Sequence, residues 1–247
     1  MQRIDLDSVY SNTPYRNEPG PASAWRHKMS DLKELKIDVV SDVVCPWCAI
    51  GYKNLETAVQ RLEGDIDIDL QWHAYELNPE TPVGGNPHRQ MLKDKYGMSD
   101  EQYESNHQRI TDMGAKAGFE FNFRNDMRTA NTFDCHRLLL WAKDSGHQTD
   151  LKLAFFQAYF TDTKDVNDRS VILDAVAQAG LDVDAAAAVL DSDQFTAEVR
   201  AEEERYQQLG IQSVPTYIVN DQYAISGGQP PEVFEQALRQ IADEMSA

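Results

Sequence analysis

Apolar and polar positions settle into a readable rhythm from Leu35 onward. Leu35–Val44 reads LKIDVVSDVV, a β-branched run that predicts a mostly buried strand. CPWC follows, and then AIGYKNLETAVQRLEG places Leu55, Ala58, Val59 and Leu62 on one helical stripe. Gly64 stands where a left-handed cap would end that helix. DIDIDLQWHAY alternates strictly, with Ile66, Ile68, Leu70 and Trp72 on one side and Asp65, Asp67, Asp69 and Gln71 on the other. That period belongs to a strand with one wet face, at the edge of a sheet. Strand, turn, helix and strand form a βαβ unit, whose strands should be parallel and whose crossover should be right-handed.

ELNPETPVGGNP then breaks the regularity. Residues 87–210 read as successive helices with no convincing strand, several of them closing on glycine. Asp168 and Ser170 are the N-cap candidates before VILDAVAQAG. These segments differ in length and pattern, so they are not an internal repeat. Strands return with IQSVPTYIVN and QYAISG, which flank the tight-turn dipeptide Asn220-Asp221. Pro230-Pro231 opens a last helix with Phe234, Ala237, Leu238 and Ile241 on its buried stripe. Residues 1–33 carry no sustained periodicity and read as an extended or disordered leader, with Trp25 as its one possible anchor.

Composition narrows the classes. A chain of 247 residues with 41% hydrophobic and 26% charged residues can build a real core and is not disordered throughout. Its formal net charge of −18 lacks the basic footprint that phosphate backbones require, so nucleic acid and anionic membrane surfaces are poor partners. No run approaches the roughly 18 apolar residues of a membrane span. The first twenty residues contain no apolar stretch of signal-peptide length, and the expected location is cytoplasmic.

The three cysteines, Cys45, Cys48 and Cys135, are too few for a disulfide framework. Cys45-Pro46-Trp47-Cys48 follows a strand and begins a helix, so unpaired backbone N–H groups and the positive end of the helix dipole face the first thiol. Both favour a thiolate, and cysteines so placed can have pKa values of about 3.5–7. Pro46 suits the first turn because its missing N–H would be unpaired there. Cys48 lies one turn on, within disulfide reach. Cys45 is thus the candidate nucleophile, giving a mixed disulfide that Cys48 resolves; the reverse steps oxidise a dithiol. A zinc site completed by Cys135-His136 is the competing reading, and its spacing is not that of a compact zinc fold.

CPWC after DVVSDVV, together with GIQSVPTYIVNDQYAISGGQPPEVFEQAL, resembles the DsbA family of thioredoxin-fold oxidoreductases, in its FrnE-like branch. The shared landmarks CPWCAIG, ELNP, NTFDCHRLLLWA, AYFTD, SVP and SGGQ run from about Ile37 to Leu238. The resemblance implies an α/β, thioredoxin-like fold with a large all-helical insertion. Residues 34–78 and 205–247 would form the thioredoxin-like domain, and 79–204 the inserted helical domain. It further implies that Pro215 is cis and sits against the cysteine pair, with the Val214 backbone pairing an extended substrate. Protein or small-molecule thiols and disulfides would be the partners of a monomer or homodimer. No bound cofactor or metal is implied beyond the redox-active pair, with glutathione as a possible co-substrate. Two other functions remain open on the same fold. One is a glutathione-dependent isomerase or transferase, against which the intact CPWC argues; the other is a non-catalytic peptide-binding chaperone.

Other residues carry weaker expectations. Cys135 reads as a buried, inert thiol beside Leu138, Leu139 and Ala142, with a second redox role as the alternative. The resemblance places His136 in the substrate groove, and Pro46 and an exposed Trp47 beside it. His73, Tyr75 and Asn78 lie near the end of the second strand, where ligands of open sheets gather. Asp42 reads as a turn-capping carboxylate, AFFQAYF as core packing, and EVRAEEER as a solvated face.

Overall fold

The computed structural model describes residues 2–3, 33–82 and 84–245. The leader expected at 1–33 lies outside them except for Gln2, Arg3 and Lys33, as does Trp25. The architecture is a mixed sheet with helices packed against it and a helical insertion before its last two strands. Strand β1 (Gln2–Arg3) is followed by β2 (Lys33–Ser41), α1 (Pro46–Arg61) and β3 (Ile66–Ala74). The β-rich run therefore begins two residues early and stops at Ser41; Asp42–Val44 turn toward the cysteines. β2 and β3 pair in parallel over nine residues, from Lys33 opposite Ile66 to Ser41 opposite Ala74.

The insertion comprises α2 (His88–Tyr96), α3 (Asp100–Ala117), α4 (Phe133–Trp141), α5 (Gln148–Phe156), α6 (Arg169–Gln178) and α7 (Val183–Leu190). Helix α8 (Thr196–Gln208) then packs on β3 and carries the chain back to the sheet. The division expected between 204 and 205 falls inside this helix. Asp168 caps α6 by accepting the Ser170 N–H, and Ser99 closes a capping box with Gln102 at the start of α3. A π-helical turn, Gln157–Thr161, extends α5 within the AFFQAYF stretch, which is core as its spacing predicts.

β4 (Thr216–Val219) and β5 (Tyr223–Ser226) form the hairpin, and α9 (Pro231–Glu244) ends the described chain. Asn220 and Asp221 both take positive φ, +49° and +55°, the mirror-image turn that matches strand twist. The strand order is β1-β5-β4-β2-β3, with β4 antiparallel to both neighbours. Side-chain alternation along β2 divides its residues between two clusters. Leu35, Ile37 and Val39 join the main core, to which α1 and α9 also contribute. Val40 joins a smaller cluster with Tyr206 of α8, Ile211 and Ile218. No helix among the described residues is long and apolar enough to cross a membrane.

Candidate active site

Cys45 is the N-cap of α1 and Pro46 its first helical residue, as the spacing predicts. Cys45 is 3% exposed and Cys48 fully buried. Cys48 follows one turn on, and its N–H donates to the Cys45 carbonyl at 3.0 Å. The Val214–Pro215 bond is cis. The Val214 carbonyl accepts from Cys45 Sγ at 3.6 Å, and the Pro215 carbonyl accepts the Gly227 N–H at 2.8 Å.

The charge is distributed differently from the sequence expectation. The opening of α1 was expected to hold Cys45 as the thiolate. In the buried pair, burial and the Cys48 thiol push the Cys45 pKa well above that of an ordinary thiol. Burial also opposes ionisation of Cys48, but the Cys45 S–H and the charge of Lys152 overcome it and lower its pKa. The two thiols are coupled, and Cys48 is the member whose ionisation its surroundings favour.

Lys152, on α5, was not singled out from sequence. It is fully buried, with Nζ 3.5 Å from the Ser41 carbonyl and 5.2 and 5.1 Å from the Trp72 and Phe156 ring centres. The available signal was a lone cation in DLKLAFFQAYF, a helix apolar on nearly every side. Asp42 is buried between the pair and α4. Its Oδ2 accepts the Leu77 N–H at 2.7 Å, and its Oδ1 lies 3.4 Å from His136 Nε2. Burial opposes ionisation of Asp42, yet His136 and that N–H hold its pKa below the usual carboxylate value.

In front of the pair lies a cavity of about 460 Å³, lined by Cys45, Pro46, Trp47 and Val214 on one side. Met91, Leu92, Met98, Tyr103 and Ile110, from α2, α3 and the turn between them, form much of the other wall. Cys45 is thus reachable although little exposed. Trp47, expected to be exposed, is half-buried with the Arg109 guanidinium 5.2 Å from its ring centre. His88 and His107 stack in the same wall, and burial lowers both pKa values to about 4, so neither carries charge near neutrality.

His136, expected in the groove, is not there: it is 2% exposed and faces Asp42, because its position on α4 turns it toward the sheet. Of the residues expected at the end of β3, Asn78 lines the cavity. His73 is buried on the opposite face between Asp38 and Glu202, and Tyr75 packs against the smaller cluster. EVRAEEER is only partly solvated, since Glu202 reaches His73 and Glu203 pairs with Arg200 beside Glu76. Cys135 is fully buried with its pKa raised by that burial. Among the described residues no group of three or more His, Cys, Asp or Glu side chains could hold a metal ion.

The cis-proline loop leaves no room beside α1. A Cβ on Gly51 would lie 2.4 Å from the Tyr217 hydroxyl, 3.0 Å from Gly228 Cα and 3.3 Å from Pro215 Cγ. Gly51→Ala should therefore destabilise the fold by about 1–3 kcal/mol through overpacking. Chemical denaturation measures this, and an unchanged midpoint would show that the loop yields.

The family model of the DSBA-like thioredoxin domain matches residues 36–239. A probable DsbA oxidoreductase from Streptomyces coelicolor is 35% identical, with a TM-score of 0.79 over 83% of this chain and 89% of that one. The Bacillus subtilis protein YwbO is 28% identical over 82% of this chain and 94% of its own length. The cytosolic disulfide reductase DsbM of Pseudomonas aeruginosa, at 17% identity, shares the fold with a TM-score of 0.58 over 83% of this chain and 98% of that one.

Proposed function

Because the chain belongs to the DSBA-like thioredoxin-domain family, we propose that it is a thiol–disulfide oxidoreductase of the FrnE-like branch, working through Cys45 and Cys48. The observation that carries this reading is a cysteine pair at the start of α1 whose first residue lines the cavity and donates to the Val214 carbonyl at 3.6 Å, while the second does not line it. Cys45 reacts as the thiolate, which the open first turn of α1 favours. Cys45 attacks a substrate disulfide, forms the mixed disulfide and expels one substrate thiolate. Cys48, once deprotonated, attacks the Cys45 sulfur, closes the internal disulfide and releases the second thiolate. The same steps reversed oxidise a dithiol.

Pro46, Trp47 and Val214 form the substrate-facing wall, and Pro215 supports Val214. The cavity suits an apolar group carried next to the reacting sulfur. Glutathione is the co-substrate in this reading; the related-fold reductase DsbM has been solved with it. His136 has no substrate contact here.

Trapping tests the sequence of steps. Cys48→Ser incubated with oxidised glutathione should accumulate one glutathionyl adduct per chain at Cys45, seen by intact mass and peptide mapping. The parent should resolve the same adduct. No adduct, or an adduct confined to Cys135, would refute the assignment.

A further inference from the structure

The cavity in front of Cys45 carries charge of one sign only. The chain has 41 Asp and Glu against 23 Lys and Arg, yet no carboxylate lines this cavity. His88 and His107 line it as neutral rings, since burial lowers both pKa values to about 4. Arg109, exposed on α3, is the one lining side chain with a fixed positive charge. Among the described residues no hydrogen bond or ion pair engages its guanidinium, which lies 5.2 Å from the Trp47 ring centre. Asp112, one turn further along α3, accepts from Gln108 instead at 2.8 Å. Every other arginine from Arg61 to Arg239 holds a carboxylate or a backbone carbonyl. Stacking on Trp47 uses the face of the Arg109 guanidinium and leaves its N–H edge open. A second cation stands at the rim, where Lys95 Nζ donates to the Asn78 side chain at 2.6 Å and the Leu77 carbonyl at 3.2 Å, and both of these residues line the cavity.

We propose that the cavity takes a small organic disulfide with an aromatic or other apolar body and a carboxylate, and that Arg109 binds the carboxylate while the sulfur meets Cys45. The proposal rests on the redox reading above and deepens it by naming the substrate class. A volume of about 460 Å³ is that of a small-molecule site. Met91, Leu92, Tyr103 and Ile110 offer the apolar body a wall, and the open guanidinium edge offers the carboxylate a two-pronged donor. The exchange moves two electrons. The Cys45 thiolate attacks one sulfur of RSSR, the S–S bond breaks and RS⁻ leaves. Cys48 then attacks the Cys45 sulfur and releases the second RS⁻. The protein passes from dithiol to internal disulfide, and its two protons end on the two released thiols. Arg109 holds the substrate and takes no part in bond making.

Stopped-flow mixing of the reduced chain with two aromatic disulfides tests this. Dithiobis(nitrobenzoate) carries a carboxylate on each ring, and dithiodipyridine carries none. The rate constant for the first is divided by that for the second, so that any change in the Cys45 thiolate cancels. Arg109→Gln should lower this ratio at least about tenfold, the effect of losing a charge-assisted pair. Lys116→Gln removes an equal charge from the same helix outside the cavity and should leave the ratio within about twofold of the parent. An unchanged ratio in Arg109→Gln, or an equal fall in Lys116→Gln, overturns the proposal. Binding is also read without turnover: nitrobenzoate should slow the alkylation of Cys45 by iodoacetamide in the parent and not in Arg109→Gln. Absent protection in the parent, or equal protection in both, overturns it as well. A parent that reacts with both disulfides while Arg109 makes no difference removes only this proposal. A parent that forms no Cys45–Cys48 disulfide with either removes the redox reading itself.

Discussion

Cys45→Ser should lower the rate of disulfide exchange by at least about a thousandfold while leaving the fold in place. The replacement is nearly isosteric, and the position is an N-cap, where serine is favoured. A hydroxyl is not ionised at neutral pH and forms no stable bond to sulfur, so the first covalent step is lost. Cys48 cannot take over, because it is fully buried and does not line the cavity. Cys135 is equally buried, and its pKa is raised. Dithiol-peptide oxidation and glutathione-dependent disulfide reduction, each followed under pseudo-first-order conditions, measure the loss. A variant that exchanges at the parent rate would end the assignment. A double serine variant that still suppressed aggregation of a client would point to the peptide-binding function instead.

The second large effect lies away from the cavity, where His73 joins Asp38 and Glu202. His73 Nε2 is 2.7 Å from Asp38 Oδ1, and Nδ1 is 3.0 Å from Glu202 Oε1. Burial opposes the imidazolium, yet the two carboxylates overcome it and raise its pKa. Burial likewise opposes ionisation of Asp38 and Glu202, and His73 outweighs it, lowering both. His73→Ala removes the cation that Asp38 and Glu202 share, leaving Asp38 only the half-exposed Lys36 at 2.8 Å, and should cost about 3–5 kcal/mol. The pH dependence has a definite sign. Stability from His73 is complete below its unfolded pKa of about 6.5 and fades as pH rises through the higher folded value. Stability from Asp38 and Glu202 is complete above about pH 4.3 and fades as pH falls through their lowered values. The cluster therefore contributes most between about pH 4.3 and 6.5. Urea unfolding of parent and variant across that interval checks both claims. A variant within about 1 kcal/mol of the parent at pH 6 would show that the cluster is not coupled.

Much of this arrangement is legible in the chain because side-chain periodicity is local. The strict alternation of Ile66 to Trp72 marks β3 as an edge strand, and it is one. The stripe through Leu55 and Leu62 marks α1, and Asn220-Asp221 marks the hairpin. The position of Cys45 at the head of α1 follows from the strand before it and the stripe after it. What periodicity cannot show is which helix lies over which strand. Lys152 is more than a hundred residues from Cys48, and only the packing of α5 on β3 brings them together. The same gap hid Glu202, whose run of charges looks solvated until α8 is laid across His73. It also misdirected His136, because a helical residue near the groove in sequence can point into either face of its helix.

The outermost strand has one last implication, for colloidal behaviour. β3 has a single strand partner, β2; toward the end of its other edge Gln148 pairs with both peptide groups of Trp72 and Glu202 accepts the Ala74 N–H, so the open part of that edge is the half nearer Ile66. Asp67 and Asp69 are both exposed along it, in a molecule whose charge is already strongly negative. A second sheet approaching that border would bring like carboxylates together before any backbone pairing could form. The wet face of the strand thus doubles as a guard against edge-to-edge stacking.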